Sequence, residues 1–214
     1  MIIVIDGPAG SGKSSTAKAV ARKTGYDYVD SGAIYRALAY LYNTLGKDQR
    51  SLLEKLEDHQ LHFDFNHTDV RVRHMDTDIT EAIRSMPVNQ SVSEVAAMPE
   101  VREVVRKLLR DITQGKNAVL DGRDLGTVVF PDADLKIFLT ADLETRAARR
   151  FEELSGQPFE GSLEEIKTNL QKRDTLDSQR EVAPLRKADD AMIVDSTHLS
   201  FDEQVARILN YIRT

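Results

Sequence analysis

The sequence predicts an α/β fold in which helices cover both faces of a five-stranded parallel sheet. Five short apolar runs have the length of buried strands, and they lie at residues 2–5, 28–29, 118–120, 135–139 and 191–194. Segments with apolar residues at helical spacing separate these runs, and the clearest extends from 99 to 114. Strands that alternate with helices favour right-handed crossovers and therefore a parallel sheet. Because ligands of such sheets bind beyond the carboxyl ends of the strands, functional residues are expected at 7–14, 30–32 and 121–124.

A glycine-rich segment follows the first apolar run directly and precedes a helix-like segment. It reads Gly7-Pro8-Ala9-Gly10-Ser11-Gly12-Lys13-Ser14, the pattern of a Walker A phosphate-binding loop. Glycines let backbone N–H groups turn toward anionic oxygens, Lys13 reaches the β- and γ-phosphates, and Ser14 can hold Mg²⁺. The chain is therefore predicted to bind a nucleoside triphosphate. The predicted ATP-binding residues are Gly7, Pro8, Ala9, Gly10, Ser11, Gly12, Lys13, Ser14 and Ser15.

Length and composition agree with a cytoplasmic enzyme of modest size. The 214 residues suffice for one core and a small appended unit. The formal net charge of −6 argues against a nucleic-acid-binding protein, since such proteins usually present a basic face. The chain has no cysteine, which excludes a disulfide framework and a thiolate zinc site. No apolar run approaches the ~20 residues of a membrane helix, so no membrane partner is expected.

The pattern changes to period two between residues 60 and 80. Apolar and polar residues alternate across 61–65 and again across 70–73, with a turn at 66–69. This predicts a small antiparallel insertion that continues to about residue 98. The histidines around this hairpin have no regular ligand spacing, so metal binding is not expected at His59, His62, His67 and His74. Two capping boxes, at 162–165 and 200–203, predict the starts of later helices, the first of which continues to about residue 173.

A Walker A loop alone is compatible with kinases, GTPases, motor ATPases and ATP-dependent switches. A GTPase would carry Asp-x-x-Gly, which is absent, and Asn-Lys-x-Asp, whose nearest match is Gln171-Lys172-Arg173-Asp174. No run of four apolar residues ends in Asp-Glu, the arrangement that motor ATPases use to activate water. A small P-loop kinase is therefore favoured. A binding switch that hydrolyses ATP without an acceptor stays open as an alternative of a different class.

Further segments resemble the bacterial cytidylate kinase family over essentially the whole chain. Besides the phosphate loop, they are 30–36, 93–102, 121–131, and Arg173-Asp174 followed by Asp177, Arg180 and Ala183-Pro184-Leu185. The resemblance implies the fold of a P-loop nucleoside monophosphate kinase. Its core domain would comprise 1–59, 99–155 and 181–214, its monophosphate-binding insertion 60–98, and its helical lid 156–180.

The resemblance also implies an activity. The γ-phosphoryl group of ATP would pass to CMP or dCMP, giving ADP and CDP or dCDP, in pyrimidine nucleotide metabolism. Mg²⁺ would be the cofactor, and the enzyme would be a monomer. The implied catalytic residues are Lys13, Arg123, Arg173 and Arg180. Another P-loop kinase for a small acceptor, of the UMP/CMP or shikimate type, is the alternative enzyme.

The implied acceptor site combines phosphate-binding arginines with a base-reading pair. Asp124 can accept a hydrogen bond from the cytosine amino group, and Arg102 and Ser93 can donate to the ring acceptors. The CMP-binding residues implied by the resemblance are Ser31, Arg36, Ser93, Arg102, Arg123, Asp124, Arg173, Asp177 and Arg180. Family members commonly carry a further lid arginine where this chain has Leu176, which makes Arg173 and Arg180 the main clamping candidates. Arg149 and Arg150 are possible helpers.

Overall fold

Strands and helices alternate along the chain, and the computed structural model describes residues 1–57, 61–66, 69–155 and 161–213. In chain order the elements are β1 (Ile2–Asp6), α1 (Lys13–Thr24), β2 (Asp27–Asp30), α2 (Ser31–Thr44), α3 (Gln49–Glu57), β3 (Leu61–Phe65), β4 (Val70–His74), β5 (Thr77–Asp78), α4 (Met86–Ala97), α5 (Pro99–Thr113), β6 (Ala118–Gly122), β7 (Leu135–Thr140), α6 (Leu143–Ser155), α7 (Leu163–Gln179), β8 (Met192–Asp195) and α8 (Phe201–Arg213). A 3₁₀ turn at Ala82–Arg84 and a π-helical turn at Leu125–Val129 complete the described structure.

The main sheet has five strands in the order β2-β6-β1-β7-β8, and all its pairings are parallel. The predicted five-stranded parallel sheet is confirmed. Alternate residues of a strand point to opposite faces. Ile3 and Ile5 of β1 accordingly pack in a core with residues of α1 and α8, whereas Val4 packs in a second core with residues of α2, α4 and α5. Helices therefore cover both faces, and the site residues lie where the strands end.

The insertion is a three-stranded antiparallel sheet followed by a helix. Strands β3 and β4 pair antiparallel, with Phe63 opposite Val72, and β5 adds a short third strand. The antiparallel part ends at Asp78 and α4 follows, so the antiparallel structure does not continue to about residue 98 as predicted, and the insertion's boundary there stays a prediction. The insertion sheet also covers the edge strand β2, since the Tyr28 amide donates to the Asn66 carbonyl at 3.2 Å. This contact protects an otherwise open sheet edge.

Among the histidines near the hairpin, His62 and His74 lie on β3 and β4, and His59 and His67 fall outside the described residues. Across the described ranges, no group of three or more His, Cys, Asp or Glu side chains is arranged to hold a metal ion. No helix in the same part of the chain is both long enough and apolar enough to span a membrane.

Both predicted capping boxes are confirmed. Glu165 accepts from the Ser162 amide at 2.8 Å and its own amide donates to the Ser162 hydroxyl, and Ser200 and Glu203 repeat this exchange before α8. Helix α7 continues to Gln179, six residues beyond its predicted end at Arg173. It therefore carries the described charged residues of the predicted lid except Arg180, which directly follows its last residue. Residues 156–160 of that lid lie outside the described residues, and the division into core, insertion and lid stays a prediction.

Candidate active site

The phosphate loop connects the carboxyl end of β1 to the first turn of α1. A side chain at Gly7 would place its Cβ 2.0 Å from the Leu139 carbonyl oxygen on β7, so this position accepts only glycine. Gly12 precedes α1 with a φ of 84°, a left-handed conformation that glycine adopts without strain. The loop is thus held tightly against the sheet. Because α1 begins directly after the loop, the backbone N–H groups at its amino end favour an anion there.

Lys13 folds back over this loop. Its Nζ donates to the Pro8 carbonyl at 2.6 Å, and the side chain is buried. Burial and the nearby Arg123 guanidinium lower the pKa of Lys13 well below its ordinary value, although Asp121 and Asp6 oppose this shift. An anion bound between Lys13 and Arg123 would offset the repulsion between these two cations. The loop is therefore electrostatically prepared for phosphate.

Ser14 and Asp121 meet beside the loop. The Ser14 hydroxyl donates to Asp121 Oδ2 at 2.7 Å, and the Tyr28 hydroxyl donates to Asp121 Oδ1 at 2.8 Å. Burial and the neighbouring Asp30 raise the pKa of Asp121. From the sequence only Ser14 is predicted to hold the metal, although Asp121 is the penultimate residue of β6, which pairs directly with β1. A carboxylate near the end of the neighbouring strand is the signal by which Asp121 can be added to Ser14 as a candidate ligand.

Asp6, the last residue of β1, is a second buried carboxylate that the sequence analysis did not assign. Its two oxygens accept from the amides of Leu125 at 3.0 Å and Gly126 at 2.8 Å. These amides begin the π-helical turn, a distortion found frequently at functional sites. Asp6 therefore anchors the backbone that directly follows Arg123 and Asp124. Burial raises the pKa of Asp6 to about 6.

This shift predicts a pH dependence of stability. The pKa of Asp6 rises from 3.8 to about 6, so the folded protein binds this proton more tightly than the unfolded chain. Asp6 should therefore contribute a free energy of unfolding that falls as the pH rises from about 4 to 6. We expect the free energy of unfolding of wild type, measured relative to that of Asp6→Asn, to fall by about 2 kcal/mol between pH 4 and 7. Urea unfolding of both proteins measures it, and a pH-independent difference would contradict the assignment.

Three of the arginines implied for phosphate binding lie close together. Arg123 Nε donates to Asp177 Oδ2 at 2.8 Å, and Arg36 pairs with Asp30 at the same distance. The Nε atoms of Arg36 and Arg173 are buried without a hydrogen-bond partner in the described part of the chain. Burial and the charge of Arg123 lower the pKa of Arg173. Unmatched cationic donors of this kind suit an anionic ligand.

The residues implied for base recognition also meet. Arg102 is buried, donates to a carboxylate oxygen of Asp124 and to the Ala96 carbonyl at 2.9 Å, and lies 5.6 Å from the centre of the Tyr35 ring. The other carboxylate oxygen of Asp124 accepts from Arg180 at 3.4 Å. Burial raises the pKa of Tyr35 to about 12, so its hydroxyl stays protonated.

The remaining predicted residues differ in their contacts and burial. Ser31 donates to the Asp121 carbonyl at 2.6 Å, and Ser93 is half-buried on α4. The two possible helpers have other partners: Arg149 donates to the Ser196 carbonyl at 2.7 Å, and Arg150 pairs with Glu153 at 2.8 Å on the surface of α6. Arg150 still lies near enough to the cluster that its charge contributes to the lowered pKa of Arg173, after burial and Arg123. Leu176 on α7 is about half exposed, at 49%.

Comparison with known proteins identifies the family of the chain. The family model described as Cytidylate kinase matches residues 3–214. A protein named Cytidylate kinase from Carboxydothermus hydrogenoformans is 44% identical over 215 residues, which cover 99% of the chain and 97% of the relative. Another of that name from Streptococcus pneumoniae is 46% identical over 210 residues, with coverage of 96% and 94%. A solved structure of an uncharacterized protein from Eubacterium ventriosum shares the fold, with a TM-score of 0.54, 13% identity and coverage of 100% and 99%. The chain belongs to the cytidylate kinase family.

Proposed function

We propose that the chain transfers the γ-phosphoryl group of ATP to CMP or dCMP, giving ADP and CDP or dCDP, within pyrimidine nucleotide metabolism. The observation that carries the proposal is the convergence of Lys13, Arg123 and Arg173 next to the buried Arg102–Asp124 pair. A triphosphate loop and a polar base site thus share one cluster of cations. Family membership over residues 3–214 supports CMP and does not favour the UMP/CMP-type or shikimate-type alternative.

In this reaction an oxygen of the CMP phosphate attacks the γ-phosphorus of ATP. The bond from that phosphorus to the β–γ bridging oxygen breaks, and ADP leaves with the electron pair. The transition state spreads negative charge over the equatorial oxygens, so catalysis depends on positioning and on cations more than on a protein base. We assign the cationic contacts to Lys13, Arg123, Arg173 and Arg180. Arg123 lies near enough to repel both Lys13 and Arg173, and Arg180 is repelled by Arg102, which supports a cluster of cations arranged for an anionic ligand.

For the acceptor phosphate we assign Arg36 and Arg123. Each is held by a carboxylate, Asp30 and Asp177 respectively, at 2.8 Å. An anchored guanidinium loses less conformational entropy when it binds phosphate bidentately. Ser31 would lie beside the same nucleotide.

For cytosine we assign Asp124 as the acceptor of the amino hydrogen and Arg102 and Ser93 as donors to the ring. Arg102 is held by Asp124 and by the Ala96 carbonyl, which supports a preset orientation of this base-reading group. The ribose and phosphate contacts would come from α7 and its carboxyl end, through Arg173, Asp177 and Arg180.

Mg²⁺ is the proposed cofactor, and the residues present suit it. Ser14 and Asp121 supply a hydroxyl and a carboxylate, which are oxygen donors of the kind Mg²⁺ prefers. Protein sites for Mg²⁺ often offer one or two such groups and leave the other positions to water and substrate phosphates. The raised pKa of Asp121 reflects burial and a neighbouring carboxylate, and a bound cation would reverse that shift. When bound, the ion neutralises charge on the β- and γ-phosphates.

A coupled assay of ADP formation tests the function. We expect rapid ADP formation with CMP and dCMP, slower formation with UMP and AMP, and little with shikimate or with no acceptor. The stronger response to the cytosine nucleotides follows from the Arg102–Asp124 pair, which matches the cytosine edge. ADP formation that does not depend on an acceptor would instead favour a hydrolytic switch.

The assembly state and location complete the proposal. The resemblance to the family is the basis for a monomer, which light scattering after size-exclusion chromatography would check. A cytoplasmic location is likewise proposed from composition, since the chain lacks cysteine and its substrates are intracellular nucleotides.

A further inference from the structure

We propose that Asp174 is a positioning residue, which joins helix α7 to the phosphate loop and thereby sets Arg173 beside the transferring phosphoryl group. The proposal rests on the kinase function proposed above. The Asp174 carboxylate is not among the proposed nucleotide-binding residues. Its contacts would fix the position of α7, a helix of the predicted lid, relative to the phosphate loop.

Asp174 takes part in a closed set of contacts with the phosphate loop. Its Oδ1 accepts from the Ala9 amide at 3.0 Å, and its Oδ2 accepts from the Arg146 guanidinium at 2.6 Å. The same guanidinium donates to the Ala9 carbonyl at 2.8 Å and to the Ala141 carbonyl at 3.0 Å. The backbone amide of Ala9 thus binds Asp174, its carbonyl binds Arg146, and these two side chains also bind each other. Such an arrangement fixes α7, α6 and the loop relative to one another.

Apolar packing adjoins these contacts, and the Asp174 side chain keeps 21% of its surface exposed. Ala9 lies in one cluster with Ala147 of α6 and with Ile166 and Leu170 of α7. The Arg146 side chain is itself buried, at 7% exposure. Loss of one partner from a buried ion pair leaves an uncompensated charge and is strongly unfavourable. The Asp174–Arg146 pair is therefore a rigid link between these elements.

Rigidity at Asp174 matters because Arg173 is its neighbour in the chain. The Nε of Arg173 is buried without a hydrogen-bond partner among the described residues, and Arg123 lowers the pKa of its guanidinium. The protein thus holds Arg173 next to a like charge, a position that needs an external restraint. Asp174, fixed to Ala9, provides that restraint through the backbone.

The residues of α7 and its carboxyl end that are proposed to contact CMP, Asp177 and Arg180, are held by contacts that do not involve Asp174. Asp177 is held by Arg123 at 2.8 Å, and its carbonyl accepts from the Leu185 amide at 2.7 Å. Arg180 is held by Asp124 and by the Ala183 carbonyl at 2.6 Å. Removal of the Asp174 carboxylate should therefore misplace Arg173 while Asp177 and Arg180 keep their positions. We therefore expect this change to lower kcat and to alter the KM for CMP much less.

The test compares Asp174→Ala, Asp174→Asn and a matched control. Asp174→Ala should lower kcat about tenfold to a hundredfold, the scale for misplacement of a reacting group by about 1 Å, with a KM for CMP close to that of wild type. Asp174→Asn keeps the volume and one acceptor for the Ala9 amide but sets an amide donor against Arg146, so a smaller loss is expected. Lys167→Gln removes the 2.5 Å pair between Lys167 of α7 and Glu144 of α6, away from the loop, and should leave kcat unchanged.

Arg173→Ala completes a double-mutant cycle with both Asp174 variants. If Asp174 acts through Arg173, then Arg173→Ala costs much less kcat in either Asp174 background than in wild type. Additive losses, an unchanged kcat in both Asp174 variants, or an equal loss in Lys167→Gln would each overturn the proposal. Should Asp174→Ala fail to fold, the isosteric Asp174→Asn carries the cycle. Failure of the kinase function itself is distinguishable, because wild type would then form no ADP with CMP.

Discussion

Lys13→Ala is expected to abolish phosphoryl transfer while the protein stays folded. The Lys13 ammonium lies over the phosphate loop, where it donates to two loop oxygens, the Pro8 carbonyl at 2.6 Å and the Ser11 hydroxyl at 3.4 Å. Removal of a cation that stabilises the transferring group should cost on the order of 10³-fold or more in kcat. Folding should survive because burial and Arg123 both disfavour the Lys13 charge, as the lowered pKa indicates. Steady-state ADP formation with CMP and a thermal unfolding curve measure the two effects separately.

Lys18→Ala is the matched control for this experiment. Lys18 lies on the same helix α1, one and a half turns further along, and its partly exposed side chain pairs with Asp69 at 3.4 Å. This variant should retain wild-type kcat, because a surface ion pair of this kind contributes little. A Lys13→Ala protein that retains more than a tenth of wild-type activity would contradict the proposed mechanism.

Much of the fold could be predicted from the sequence because its signals are local. Apolar runs of strand length and helical spacing in 99–114 predicted the parallel sheet and α5, and both are confirmed. The antiparallel strands end about 20 residues earlier than predicted, because alternation across 61–73 shows that strands begin there but not where they stop. Val88, Val92 and Val95 are buried at intervals of four and three residues, the spacing that indicates α4.

The site could be predicted only where its residues form compact motifs. The segments at 7–14, 30–32 and 121–124 were expected at the ends of strands, and they follow β1, β2 and β6. The roles given to their side chains stay predictions. Asp6 was not singled out, because its partner Leu125 lies 119 residues further along the chain. The Ala9–Asp174 contact spans 165 residues. Contacts of this kind follow from topology, and no spacing in a single sequence indicates them.

Asp124→Asn is expected to remove much of the preference for CMP over UMP. In the structure one oxygen of Asp124 accepts from Arg102 and the other from Arg180, and the side chain is buried. In the proposed assignment, a carboxylate in this position would accept from the cytosine amino group but would repel the uracil O4. Asparagine keeps one oxygen for Arg102 and can turn its amide NH₂ toward O4, which converts repulsion into a hydrogen bond.

The size of the effect follows from the value of one such contact. Each is worth ~1 to 3 kcal/mol, so the CMP/UMP ratio of kcat/KM should change by roughly ten- to a hundredfold. Asp124→Asn also removes a negative charge between two buried arginines, so some loss of stability is expected. The ratio is insensitive to that loss, because both substrates are measured on the same preparation and the folded fraction cancels.

Arg102→Ala separates base discrimination from general binding. The O2 acceptor is common to both pyrimidines, so loss of the Arg102 donor should lower kcat/KM for CMP and UMP together and leave their ratio near that of wild type. Asp124→Asn should change the CMP/UMP ratio of kcat/KM. Arg102→Ala should lower kcat/KM for each substrate and leave that ratio unchanged. An equal loss for CMP and UMP in Asp124→Asn would show that Asp124 supports the phosphates or the scaffold. Base recognition would then have to come from other residues around Tyr35, whose ring faces the Arg102 guanidinium at 5.6 Å.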